Sequence, residues 1–150
     1  MRKTTAAAVA SFVALTACAP MRTLVGAYPF DPKNPKVYVA ESKDRKVKSV
    51  VVDQEPIYFF REHGTKIQIR WQLQTSGYRF DATKGIDNIK ALYGPSGQLH
   101  SCQIEAGSKD EAFVCIYENT APGRSKYTIN AVATDGAGNP KPLDPTVGND

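Results

Sequence analysis

An all-β fold, built as a two-sheet sandwich over residues 36–150, is what this sequence predicts. Three observations carry that expectation. First, Ile67, Ile69, Trp71 and Leu73 alternate strictly with Gln68, Arg70, Gln72 and Gln74. A period of two places four apolar side chains on one face of a strand and the polar ones on the other, whereas a helix would scatter them. Second, short apolar runs recur about every ten residues, parted by turn residues such as Gly94-Pro95-Ser96-Gly97, which is the rhythm of a sandwich. Third, Cys102 and Cys115 stand where a single hairpin would bring them together.

Taken in order, the first strand covers residues 36–41, alternating through Val37 and Val39. The cationic run Lys43, Arg45, Lys46 and Lys48, broken by Asp44, reads as a solvated turn or edge; its functional reading is a patch for anionic lipid or wall polymer. Residues 47–52 form a β-branched strand. Residues 57–60 follow Pro56, which suits an edge or a strand start because proline donates no ladder hydrogen bond. Within that segment Ile57 and Phe59 are expected to face the core, so Tyr58 and Phe60 face outward. These two rings are the candidate binding surface, unless the tether or loops cover them; aromatics are enriched at interface cores. The clearest strand, at residues 65–74, comes next. Residues 85–93 carry Ile86, Ile89 and Leu92 three apart, which fits a bulged strand or a helix. Residues 127–134 alternate again and are read as one strand, and the β-rich pattern extends to about Leu143 within the domain at 36–150.

A hairpin of this kind has a fixed register. If residues 99–105 and 112–118 pair in antiparallel fashion through a turn at 106–111, opposed residues share one index sum, and for Cys102 and Cys115 it is 217. That register sets Ile104 opposite Phe113 and His100 opposite Tyr117, all on one face. Directly opposed Cα atoms in a non-hydrogen-bonded pair lie about 4.5 Å apart, at the short end of the disulfide range. A Cys102–Cys115 bond is therefore expected, contributing about 3 kcal/mol through the loop it closes in the chain-entropy model.

The first 17 residues read as a targeting segment: Arg2 and Lys3, then an uncharged stretch rich in Ala, Val, Phe and Leu from Ala6 to Ala17. That is the layout of a secretory signal, too short for a transmembrane helix of about 20 apolar residues. Leu15-Thr16-Ala17-Cys18 then resembles the bacterial lipobox. The resemblance implies that Cys18 takes a lipid, that cleavage occurs before it, and that the mature protein is held to a membrane by its acylated end. With Ala19 following the cysteine, the same resemblance implies sorting to the outer membrane, facing the periplasm, where disulfides persist. Residues 18–35, with Pro20, Pro29, Pro32 and Pro35, read as a tether, and Tyr28 and Phe30 in it could dock on the domain or a partner.

The strand bearing Trp71 and the closing run Tyr127-Thr128-Ile129-Asn130-Ala131-Val132-Ala133-Thr134-Asp135-Gly136-Ala137-Gly138-Asn139 resemble bacterial immunoglobulin-like domains. The segments Val52 to Ile57, Gly77-Tyr78-Arg79-Phe80 and Leu143-Asp144-Pro145 are similar to short bacterial proteins of unknown function. The cysteines depart from the antibody pattern, being too close in sequence for an inter-sheet bridge beside the tryptophan.

Charge and chemistry exclude more than they assign. Of 19 Lys+Arg, 17 lie beyond the signal segment, against 15 Asp+Glu, so the mature chain is close to neutral. It lacks the dense basic stripe that nucleic acid would need. His63, in Arg61-Glu62-His63-Gly64, reads as part of a polar turn, and His100 as a residue of the disulfide face. No His-x-x-x-His or Cys-x-x-Cys pair marks a metal site, and no Gly-x-Ser-x-Gly elbow marks a nucleophile. Asp135 to Asn139 could be a calcium loop but has a single carboxylate, and turn glycines explain it more simply. The expected function is a non-enzymatic binding or structural module of the cell envelope, without cofactor or metal, whose partners are the membrane through Cys18 and an envelope protein. A wall- or glycan-binding or inhibitory module is the alternative, and a hydrolase the third.

Overall fold

Strand β4 (Ile67–Leu73) forms where the alternation places it, with Ile67, Ile69, Trp71 and Leu73 buried and the residues between them turned outward. The computed structural model describes residues 31–150, and all its regular structure is β except one turn of 3-10 helix at Arg61–His63. The signal segment, Cys18 and the tether as far as residue 30 lie outside the described residues. Within the described part, the end of the expected tether is already seated on the domain. The Arg70 and Gln72 amides donate to the carbonyls of Lys33 and Pro35.

Among the described residues, nine of the eleven strands make two main sheets. The five-stranded sheet has the order β2 (Lys48–Val52), β1 (Lys36–Glu41), β4, β8 (Ala112–Tyr117), β7 (Leu99–Ile104). The four-stranded sheet has the order β3 (Ile57–Phe59), β11 (Thr146–Asn149), β9 (Gly123–Ile129), β6 (Ile86–Tyr93). A third, two-stranded ribbon joins β5 (Tyr78–Phe80) to β10 (Ala131–Ala133). The sheets share one core, in which Val37, Ile69, Trp71, Phe113 and Tyr117 of the larger sheet meet Phe59, Tyr127, Ile129 and Val147 of the smaller. At its centre the Trp71 indole N–H donates to the Tyr127 hydroxyl at 3.3 Å, and their rings meet edge to face at 5.3 Å. A buried Trp and Tyr bring polar atoms with them, and each satisfies the other. Burial also pushes the Tyr127 hydroxyl well above the ordinary phenol range.

The expected disulfide is present: Cys102 and Cys115 are joined, with Cα atoms 4.1 Å apart. The hairpin register is right at one end and wrong at the other. Ile104 pairs with Phe113 and Gln103 with Val114, as the sum of 217 requires. A bulge between His100 and Gln103, where Ser101 takes φ 52°, then shifts the pairing, so His100 lies opposite Ile116 and Leu99 opposite Tyr117. A bulge sets two residues against one, so Leu99, not His100, fills the core position.

Two other expectations are corrected. The strand foreseen at 127–134 is two strands: β9 begins four residues earlier, at Gly123, and the chain changes sheets at Asn130. The Asn130 amide group donates to the Lys84 carbonyl and the Asp87 carboxylate, holding the corner. The β-rich pattern also runs past Leu143, because β11 inserts between β3 and β9, parallel to the first and antiparallel to the second. Residues 86–93 form the bulged strand rather than a helix, with Asn88 at φ 50° and two register shifts against β9.

Candidate functional site

The outward face of the four-stranded sheet is where the aromatic candidates stand. Ile57 and Phe59 are buried, so the pleat turns Tyr58 outward; the chain leaves the strand after Phe59, and Phe60 follows Tyr58 to the same side. Their rings meet edge to face at 5.8 Å, and Phe60 remains 50% exposed. The turn that follows holds Phe60 in place: His63 Nδ1 accepts from the Phe60 amide at 2.8 Å, and the histidine ring packs against Phe60 at 5.7 Å. His63 is thus part of the polar turn expected of it. Beside these rings lies a groove of about 470 Å³ lined by Pro32, Gln54, Glu55, Tyr58, Phe60 and His63. The described chain therefore enters next to this face.

The register extends the patch to residues that sequence reasoning did not single out. Tyr58 pairs with Gly148 on β11, Gly148 with Arg124 on β9, and Arg124 with Tyr93 on β6. One row thus crosses all four strands as Tyr58, Gly148, Arg124, Tyr93. Period two along β9 buries Tyr127 and Ser125 and sends Arg124 and Lys126 outward. The Arg124 guanidinium lies 6.0 Å over the Tyr93 ring, within cation–π range. Gly148 contributes no side chain between Tyr58 and Arg124. A Cβ there would sit 2.9 Å from the Gly123 carbonyl oxygen and 3.4 Å from the Arg124 Cβ. Tyr93 is 50% exposed, and Leu92 beside it is exposed too. At the β6 end of the row, Gly94 at φ 78° brings the backbone against Pro122 too closely for any side chain.

Polar groups on this face are unevenly satisfied. The Tyr58 hydroxyl donates to the Asp150 carboxylate, and that hydrogen bond raises its pKa above the usual phenol value. Lys126, the next outward residue on β9, is paired with Asp144 at 2.9 Å, which holds the Asp144 carboxyl below its ordinary range. Arg124 joins no ion pair among the described residues, and its Nε is buried without a hydrogen-bond partner there.

The remaining candidates resolve as structure. His100 Nε2 lies 2.8 Å from Glu118 Oε1 and its Nδ1 2.8 Å from Ser101 Oγ. That line of serine, imidazole and carboxylate has the connectivity of a nucleophilic triad, but it sits on the edge strand β7 with the His100 side chain 39% exposed. The cationic run forms the β1–β2 turn, ordered by Asp44, whose carboxylate accepts from the Ser42 hydroxyl and the Lys46 amide. Asp135 caps its own turn through the Ala137 amide. Among the described residues no group of three or more His, Cys, Asp or Glu side chains could hold a metal, and no helix is long and apolar enough to cross a membrane. No protein-family model matches the sequence, and comparison with curated proteins gives no match.

Proposed function

We propose that this chain is a lipid-anchored periplasmic lipoprotein whose immunoglobulin-like β-domain is a non-enzymatic binding module of the cell envelope. Its contact surface is the outward face of the four-stranded sheet around Tyr58 and Phe60, and its partner is an envelope protein. The anchor rests on the lipobox-like Leu15-Thr16-Ala17-Cys18. The contact surface rests on one observation above others: a pair of large rings, Tyr58 and Phe60, held outward by a strand whose other residues are buried. A soluble protein keeps such an apolar cluster on its surface at the risk of aggregation, and a partner that covers it removes the risk.

Two variants test this reading. Cys18→Ser should abolish acylation and release the protein from membranes; membrane fractionation that is unchanged in this variant refutes the anchor. The double variant Tyr58→Ala with Phe60→Ala should keep its melting temperature nearly unchanged while losing its partner in cross-linked membranes. A large loss of stability would make both rings core residues and remove the surface.

A further inference from the structure

The Tyr58–Arg124–Tyr93 row carries information about what covers it. Buried polar groups in folded proteins are hydrogen-bonded with few exceptions, and an unmet donor costs free energy. Arg124 Nε is such an exception, buried with no acceptor among the described residues. The neighbouring cation on the same strand, Lys126, already has its carboxylate in Asp144. A guanidinium presents a planar fork of donors that fits a carboxylate in two parallel hydrogen bonds. The rings on either side restrict what else the ligand can be.

We infer that Arg124 is the specificity-determining residue of this face, and that its partner is a protein segment presenting one Asp or Glu carboxylate between apolar side chains. The carboxylate would accept from the Arg124 guanidinium, and the apolar neighbours would cover Tyr58, Phe60 and Tyr93. This assignment rests on the proposed binding role of the face and adds the chemistry of the partner. Charge complementarity favours a protein over other anions. A lipid headgroup surface is held by clusters of basic residues, roughly four to eight of them. Here the outward face carries three cations, Lys90, Arg124 and Lys126, short of such a cluster, with Lys126 already paired to Asp144 and exposed rings beside Arg124. One acid among apolar side chains is what a protein surface offers. Arg and Tyr are also the residue types that dominate the centres of protein interfaces.

The test uses the mature chain, residues 18–150, carrying Cys18→Ser so that no lipid anchors it. Its arginine Nε–Hε resonances are followed by nitrogen-15 NMR, and the Arg124 signal is identified by its loss in Arg124→Lys. The probes are the capped peptides acetyl-Leu-Tyr-Glu-Leu-amide and acetyl-Leu-Tyr-Gln-Leu-amide. The expected result is a saturable shift of the Arg124 signal with the glutamate peptide, and at least about tenfold weaker binding of the glutamine peptide or by the Arg124→Lys variant. No saturable shift, or equal binding of the two peptides, overturns the assignment. Tighter binding to phosphatidylglycerol vesicles or polygalacturonate than to the glutamate peptide also overturns it, in favour of lipid or acidic saccharide respectively. If the peptides fail while Tyr58→Ala with Phe60→Ala still abolishes partner capture, only the carboxylate assignment falls. If that double variant captures its partner normally, the face itself is wrong.

Discussion

Two arginines, each on the outer face of a different sheet, are treated differently by the fold. Arg70 on β4 donates from Nε and Nη2 to the Glu105 carboxylate at 2.7–3.0 Å, and from Nη1 to the Gln72 amide oxygen at 3.1 Å. The pair is mutual, raising the pKa of Arg70 and lowering that of Glu105 through their hydrogen bonds. Arg124 on β9 is flanked by tyrosines, and its Nε meets no acceptor among the described residues. On the larger sheet the arginine's fork is met within the chain. On the smaller sheet no described residue meets it, and the exposed rings lie beside the unmet donor. The contrast supports the proposed contact role of the smaller sheet's outer face, although the larger sheet's outer face also carries an exposed apolar pair, Tyr38 and Val51.

Both faces depend on the core between them, and Trp71 is the largest side chain there that is fully buried. Trp71→Ala should cost about 3–5 kcal/mol, measured by denaturant unfolding, through lost burial and the cavity left behind. It also strands the Tyr127 hydroxyl, whose partner it was. A cost below about 1 kcal/mol would mean that the two sheets are not held together at this point.

The arginines themselves come next in size. Arg70→Leu should destabilise by up to about 1 kcal/mol, because its ion pair is only partly buried and is screened by water. Arg124→Leu should leave stability nearly unchanged, since removing the unsatisfied donor forfeits no hydrogen bond or ion pair among the described residues and only the exposed cation–π contact with Tyr93. Equal destabilisation by both would show that Arg124 has an acceptor in the free protein. The smallest effect is acid-dependent. The Asp144 carboxyl is held below its ordinary value of 3.8, first by its hydrogen bond to Lys126. Its contribution is therefore present above that ordinary value and is lost as pH falls below it. Asp144→Asn should flatten the acid limb of the stability curve slightly, and added salt should do the same because the pair is exposed.

How much of this was legible in the sequence depends on where the determining contacts lie. β4 was legible because alternation is local, and the Cys102–Cys115 bond because it belongs to a hairpin of near neighbours. The outward setting of Tyr58 and Phe60 followed from the same pleat. The first half of β9 was not legible: its inward residues are Gly123 and Ser125, which give no apolar alternation. β11 reads Thr-Val-Gly-Asn and offers one apolar residue. Its place is set by β3 and β9, and by the Asn149 side chain, which accepts from the Tyr117 hydroxyl and donates to Asn119. The bulge at Ser101 likewise follows from Leu99 reaching the core, not from any turn residue. Arg124 was passed over for the same reason: its neighbours Tyr58, Gly148 and Tyr93 come from three other strands.

The central claim is that the smaller sheet's outer face is covered in the cell and the larger sheet's is not. Photo-cross-linking in living cells tests it most directly, with a photoreactive phenylalanine placed at Tyr93, or at Gln72 on the opposite face. The account predicts a discrete protein adduct from position 93, lost when Arg124→Gln is added, and none from position 72. The same adduct from both positions, or none from position 93, would contradict it.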